Sequence, residues 1–184
     1  DIINRTARPV IDGLRKKGIL YRGLLYVGIM MTENGPYVLE YNVRFGDPET
    51  QAVLPRLKSD IIPIMMEIAE GKIKTEELIW DSRACLSVVM ASGGYPGTYQ
   101  SGFPIRGLDQ ISDPEVVVFH AGTSKSSTGE VTTSGGRILA VSALGEPLKN
   151  AYDRAYQAVS KISIPGAFYR RDIGKRAFAK TGVS

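Results

Sequence analysis

Cysteine, histidine and tryptophan each occur once in this chain, and no uninterrupted apolar run approaches the ~20 residues that a bilayer-spanning helix needs. A single cysteine forms no internal disulfide, so a disulfide scaffold is excluded and stability has to come from packing. The first ten residues, DIINRTARPV, lack the charged-then-apolar plan of a signal peptide. A cytosolic protein without a membrane partner is therefore expected. With 184 residues, 43% of them apolar, disorder and collagen are excluded too, and the length suits one large domain or two small ones. The chain starts at Asp1 without an initiating methionine, which leads to the expectation of a fragment or a processed chain.

Surplus positive charge is scarce outside the end of the chain. Residues 161–184 hold Lys161, Arg170, Arg171, Lys175, Arg176 and Lys180 against one acid, Asp172, a surplus of +5, while the other 160 residues carry 17 basic and 18 acidic groups. A basic tail without stacking aromatics interleaved across a whole face reads as a solvated surface, so no nucleic-acid partner is expected. Cys85, in the strand-like run RACLSVVMAS, reads as a buried and inert thiol.

What is present is periodicity. Ile3, Ala7, Val10, Ile11 and Leu14 recur at helical spacing opposite Arg5, Arg8, Asp12, Arg15 and Lys16, which predicts an amphipathic helix stopped by Gly18. An interior proline costs ~3 kcal/mol, so this helix is expected to kink or to start at Pro9. The runs GLLYVGIMM and YVLEYNV, joined through Asn34-Gly35, predict a hairpin whose primed turn places both residues at positive φ. Downstream, Asp47-Pro48 has the form of an N-cap and first helical residue, with Glu49 adding negative charge to the first turn. Leu54, Leu57, Ile61, Met65 and Ile68 mark one buried side, broken by Pro55 and Pro63 into two short helices. Met65 and Met66 read as core filler.

Near residue 80 the pattern turns to short strands, ACLSVVMAS, EVVVFHAGT and GRILAVSAL, separated by glycine-rich turns at 93–97 and 134–136. A last helix, EPLKNAYDRAYQAVSKI, is expected to pack Leu148, Ala151, Ala155, Ala158 and Val159 inward. The fold class is α+β, with domains at 1–79 and 80–184.

The segment richest in chemistry is VLEYNVRFGDPE, residues 38–49. Strand side chains two apart share a face, so Glu40 and Asn42 stand side by side, a seat for a hard cation that keeps water and substrate phosphates as its remaining ligands. Arg44 adds a planar fork of donors, and the expected helix start at Asp47-Pro48 adds backbone N–H groups; both attract phosphate or carboxylate. On residue types alone, a wet edge strand followed by an ordinary cap is the better reading. For His120 at a strand end a structural role comes first, and for Gly135 and Gly136 tight turn geometry suffices. Arg137 suits phosphate or carboxylate better.

The blocks EYNVRFGDPETQ, LPRLKSD, VVMASGGYPGTY, FHAGT, TSGGRILAVSALG and YRRDIGKRA occur in order between about residue 20 and residue 178. Together they resemble the carboxyl-terminal half of the glycinamide ribonucleotide synthetases, or phosphoribosylamine-glycine ligases, of the ATP-grasp superfamily. The resemblance implies the second half of an ATP-grasp domain, an antiparallel sheet with helices, followed by a small mixed-sheet carboxyl-terminal domain. It also implies an ATP-dependent ligase that joins glycine to 5-phosphoribosylamine through a glycyl-phosphate in purine biosynthesis. Glu40 and Asn42 match the family's ligands for Mg2+ or Mn2+ at the ATP, and Arg44, Asp47 and Glu49 match the RFGDPE block at the reaction site, with Arg44 and Asp47 in catalytic positions. His120, Gly135, Gly136 and Arg137 match blocks facing the same cleft as substrate contacts.

Two departures accompany the resemblance. Many ATP-grasp enzymes carry a further metal-binding carboxylate on the strand before the hairpin, where this chain has Gly28. The family's amino-terminal domain and nucleotide-clamping lid have no counterpart in these residues, so the segment is expected to be silent without its amino-terminal half. The competing expectations are a non-catalytic anion- or nucleotide-binding module on the same scaffold, and another ATP-grasp carboxylate-amine ligase.

Overall fold

The computed structural model describes residues 1–181, with side chains described up to Phe178. The basic Lys180 lies outside the residues whose side chains are described. The chain divides into two compact units that do not follow a single cut near residue 80. The first comprises Asp1–Asp47 and Ser59–Ile79; the second comprises Pro48–Lys58 and the chain from Trp80 onward.

In the first unit, α1 (Ile2–Lys16) runs continuously through Pro9 instead of starting there, with Arg15 and Lys16 in its last turn, where cations complement the helix dipole. Gly18, at φ +74, lies just past its end. The expected stripe is half-buried at Ala7, Val10, Ile11 and Leu14, whereas Ile3 is 70% exposed. The buried residue is Thr6, whose hydroxyl donates to the Ile2 carbonyl at 2.8 Å while its own carbonyl accepts from the Tyr41 hydroxyl at 3.0 Å.

Strands β1 (Tyr26–Thr32) and β2 (Gly35–Asn42) form the expected antiparallel hairpin. Its turn differs from the primed type: Thr32 pairs with Gly35, Glu33 and Asn34 occupy the turn, and only Gly35 has positive φ, at +103. The Thr32 hydroxyl oxygen accepts the Asn34 N–H and supports this unprimed geometry. A register shift follows Gly28, since Gly28 pairs with Glu40 but Ile29 pairs with Val38, leaving Leu39 as the extra residue of a bulge.

The next helices are short, as expected, but only Pro55 falls at a break, since Pro63 sits in the first turn of the later helix and does not interrupt it. After α2 (Thr50–Val53) a 3-10 turn at Leu54–Arg56 follows, both within the second unit, and α3 (Ile61–Glu70) returns the chain to the first. The Asp60 carboxylate caps α3 by accepting the Ile62 N–H at 2.9 Å, and Gly71 ends it in the left-handed conformation at φ +72. The buried side expected across both helices does not form as one stripe, because the chain bends between Leu57 and Asp60 and hands the two halves to different units. Met65 and Met66 are 40% and 59% exposed, so they are not core filler. Glu67 instead accepts the N–H groups of Lys74 and Thr75, and those bonds hold its carboxyl below the usual carboxylate range.

The second unit is built on a sheet of order β4-β7-β3-β8, from β3 (Ala84–Ala91), β4 (Val116–His120), β7 (Arg137–Gly145) and β8 (Phe168–Tyr169). All of its pairings are antiparallel, where a mixed sheet was expected. The run EVVVFHAGT splits at Ala121-Gly122 into β4 and a short β5 (Thr123–Lys125), which pairs with β6 (Val131–Thr133). Helix α4 (Leu148–Lys161) packs on the sheet through Ala151, Ala155, Ala158 and Val159, against Val88, Ile138, Val141 and Ala143. Alanines on that face bring the helix close, and Gly145 is required because a Cβ there would overlap the Ala151 backbone. A final helix, α5, spans Lys175–Thr181.

Asp81 ties the Pro48–Lys58 segment to the start of β3. Its carboxylate accepts three bonds from the Arg83 guanidinium, at 2.8, 3.0 and 3.2 Å, and the Arg83 N–H at 2.9 Å, while its backbone bonds Arg56. Those Arg83 bonds hold the carboxyl well below its ordinary range. Cys85 is half-buried, and burial pushes its thiol upward, away from a reactive thiolate. No helix among the described residues is long and apolar enough to cross a membrane.

Candidate functional site

The residues singled out from the sequence fall into two groups: the segment 38–49, whose last two residues already belong to the second unit, and a set wholly within the second unit. On β2 the strand alternation does bring Glu40 and Asn42 together: Asn42 Nδ2 lies 3.2 Å from Glu40 Oε1, with Glu40 exposed and Asn42 half-buried. The cross-strand partner of Glu40 is Gly28, and a Cβ at Gly28 would stand 3.0 Å from Glu40 Cγ. Glycine there leaves the glutamate its room, which explains why β1 carries no side chain at the position where a further carboxylate was sought.

Arg44 is exposed, and its Nη1 donates to the Phe45 carbonyl at 3.0 Å. Asp47 does not occupy the N-cap position expected of it; residues 47–49 form a turn and the N-cap of α2 falls on Glu49. The reason is local: Pro48 sits in the turn before the helix instead of at its first position. Glu49 belongs to the second unit, and its Oε1 is buried without a hydrogen-bond partner. A buried carboxylate oxygen left unpaired costs free energy, so this oxygen would gain from a donor brought to it.

The second group gathers at one end of the β4-β7-β3 sheet. His120 ends β4 opposite Leu139, is exposed, and shares a 3.0 Å hydrogen bond with the Thr123 hydroxyl through Nδ1. One residue beyond Ala121, Gly122 donates its N–H to the Arg137 carbonyl at 2.8 Å and accepts from the Ser134 N–H at 2.7 Å. The Ser92 N–H and hydroxyl bond the Gly136 and Gly135 carbonyls, each at 2.8 Å. The FHAGT, SGGR and SGGYPG loops are therefore laced together through their backbones. Gly122 and Gly135 sit so close that a Cβ on Gly122 would stand 2.5 Å from the Gly135 Cα. Beside them a cavity of about 350 Å³ is lined by Ser92, Tyr99, Phe103, Thr133 and Gly166, among others.

Sequence reasoning missed one residue here. Tyr95, read only as part of a turn, places its hydroxyl 3.0 Å from Arg137 Nε and its ring over Gly136. An aromatic residue inside a glycine-rich turn was the available signal.

Family models and known proteins bear on these groups. The model described as phosphoribosylglycinamide synthetase, ATP-grasp (A) domain, matches residues 1–50, and that described as phosphoribosylglycinamide synthetase, C domain, matches residues 85–176. A phosphoribosylamine-glycine ligase from Caldanaerobacter subterraneus subsp. tengcongensis is 48% identical over 173 residues, covering 94% of this chain and 41% of the relative. The trifunctional purine biosynthetic protein adenosine-3 of Gallus gallus is also 48% identical over 173 residues, which are 94% of this chain and 17% of that protein. Among solved structures, the phosphoribosylamine-glycine ligase of Thermotoga maritima superposes with a TM-score of 0.75 at 34% identity, covering 89% of this chain and 40% of that one. The chain thus spans about two fifths of the length of its single-function relatives. With two family models matched in order, the C-domain match alone taking in half of the residues, the chain belongs to the phosphoribosylglycinamide synthetase family.

Proposed function

We propose that this segment supplies the metal-binding strand and the carboxyl-terminal domain of an ATP-dependent ligase that joins glycine to 5-phosphoribosylamine, giving glycinamide ribonucleotide, ADP and phosphate. The observation that carries the reading is the Glu40–Asn42 pair, two oxygen-bearing side chains 3.2 Å apart on one exposed strand face, within a chain of this family. The family matches end at residue 50 and start at residue 85, and the division into functional domains at 1–79 and 80–184 falls in the interval between them.

The pair fits a hard divalent cation, Mg2+ or Mn2+. A carboxylate and an amide carbonyl are the donors such ions prefer, and turning the Asn42 amide presents its Oδ1 beside Glu40. No three His, Cys, Asp or Glu side chains among the described residues could cage an ion, so water and the ATP phosphates would complete the shell. A bound cation would supply electrostatic stabilisation of the charge that develops as phosphate is transferred. The glycine carboxylate attacks the γ-phosphorus and ADP departs; the amine of phosphoribosylamine then attacks the acyl carbon, an amide C–N bond forms, and phosphate and a proton leave. In this reading Arg44 holds the transferring phosphate, Asp47 and Glu49 receive the substrate amine, and Arg137 with His120 and the Gly135-Gly136 turn holds the ribosyl phosphate. The unpaired Oε1 of Glu49 supports its share of this assignment.

The test is Glu40→Ala in the full-length enzyme. Glycine-dependent ADP release is expected to fall about 1000-fold or more, while stability changes by no more than about 0.5 kcal/mol, because the side chain is exposed. Wild-type turnover at saturating Mg-ATP would refute the metal assignment, and a loss of several kcal/mol would make Glu40 structural.

A further inference from the structure

We infer that Tyr95 is a positioning residue for the phosphomonoester of the ribosylamine substrate, acting through Arg137; the inference rests on the proposed role of Arg137 as the phosphate contact. Three observations converge on it. The Tyr95 hydroxyl accepts the Arg137 Nε–H at 3.0 Å, and both residues are half-buried. The Tyr95 ring lies against Gly136, the residue immediately before that arginine, so closely that a Cβ on Gly136 would overlap Cδ2 and Cε2. The tyrosine is itself held, because its N–H donates to the Ser92 carbonyl at 3.0 Å and the Ser92 N–H donates to Gly136, closing a ring of contacts around the Arg137 backbone.

The consequence follows from guanidinium geometry. Five N–H donors lie in one plane, and binding the Nε edge to a fixed hydroxyl sets the rotation of that plane about the side chain's long axis. A phosphomonoester that engages this guanidinium then meets its donor plane in a preset orientation, so less side-chain freedom is lost when it binds. Replacement by phenylalanine keeps the ring over Gly136 and removes only the acceptor. Tyr95 makes no contact with reacting atoms in this account, so its removal weakens binding and leaves chemistry alone.

The experiment compares Tyr95→Phe, Arg137→Ala and the double variant in the full-length enzyme, reading kcat, the KM values for phosphoribosylamine and glycine, and the melting temperature. Tyr95→Phe is expected to raise the KM for phosphoribosylamine about tenfold, as loss of a hydrogen bond to a charged group does, with kcat and the glycine KM within twofold and melting unchanged. In the double variant the tyrosine change should add nothing to the Arg137→Ala effect, since it works through that arginine. A wild-type KM in Tyr95→Phe beside a raised KM in Arg137→Ala overturns the inference and leaves the phosphate assignment standing. Full additivity of the two changes also overturns it. A wild-type KM in Arg137→Ala overturns the phosphate assignment itself, and the inference with it.

Discussion

The two units of this chain distribute their apolar residues in opposite ways. Every buried hydrophobic side chain among the described residues, from Leu86 to Ile164, lies in the second unit, around the face where α4 meets β3 and β7. The first unit exposes Met30, Met31, Tyr37, Leu39 and Val43 on or beside its hairpin and Ile62, Met65 and Met66 on α3, and its one buried polar residue is Thr6. Burying one such side chain is worth about 1.5–3 kcal/mol. A four-stranded sheet with a helix upon it collects that free energy within itself, whereas a two-stranded hairpin is marginal alone. The ATP-grasp (A) domain match takes in the Asp1–Asp47 stretch of the first unit. The metal-binding pair Glu40–Asn42 proposed above thus stands on the less self-sufficient unit, and the Arg137 cluster on the more self-sufficient one.

Substitutions can break or sharpen this contrast, and the largest effect belongs in the second core. Ile138→Ala, at a position with no solvent exposure, should cost about 2–5 kcal/mol in denaturant unfolding. A loss below 1 kcal/mol would mean the β7 core is far looser than its burial implies. Gly136→Ala ranks next: the added methyl collides with the Tyr95 ring, and about 1–3 kcal/mol should be lost by overpacking.

A subtler effect concerns pH. The Asp81 carboxyl is held below its unfolded value by Arg83, so the folded state binds its proton less readily than the unfolded chain. Its contribution is present in full above the ordinary carboxylate range near pH 4 and is lost as pH falls toward the folded value. Unfolding measured at pH 7 and pH 3 should show a smaller acid loss in Asp81→Asn than in the native sequence; equal losses would remove Asp81 from the acid limb. The smallest effect is expected of Leu39→Ala in the bulge of β2, within about 0.5 kcal/mol, because that side chain is already 65% exposed. A cost like that of Ile138→Ala would erase the distinction between the units.

Much of this architecture was legible in local patterns. The hairpin, the two short helices, the strands at 84–91 and 137–145 and the inward alanines of α4 all follow from periods of 2 and 3.6 with their turn residues. The Glu40–Asn42 juxtaposition needed only strand alternation, and Leu39, bulged out before Glu40, leaves it intact. The misses share a cause. Asp47-Pro48 has cap chemistry but sits in a turn, Asn34 keeps negative φ because Gly35 alone absorbs the bend, and Met65-Met66 have core chemistry without a core to enter.

By itself the sequence determined the long helices and strands, which family the blocks resemble, and which oxygen donors share a strand face, because each of these is set by side chains within a few residues of one another. Only the tertiary structure decided that Pro48–Lys58 belongs with the later unit, that the sheet is antiparallel throughout, that an unpaired oxygen of Glu49 is buried, and that Tyr95 reaches Arg137 from 42 residues away. Those outcomes depend on which surfaces exclude water together, and no local period along the chain encodes that choice.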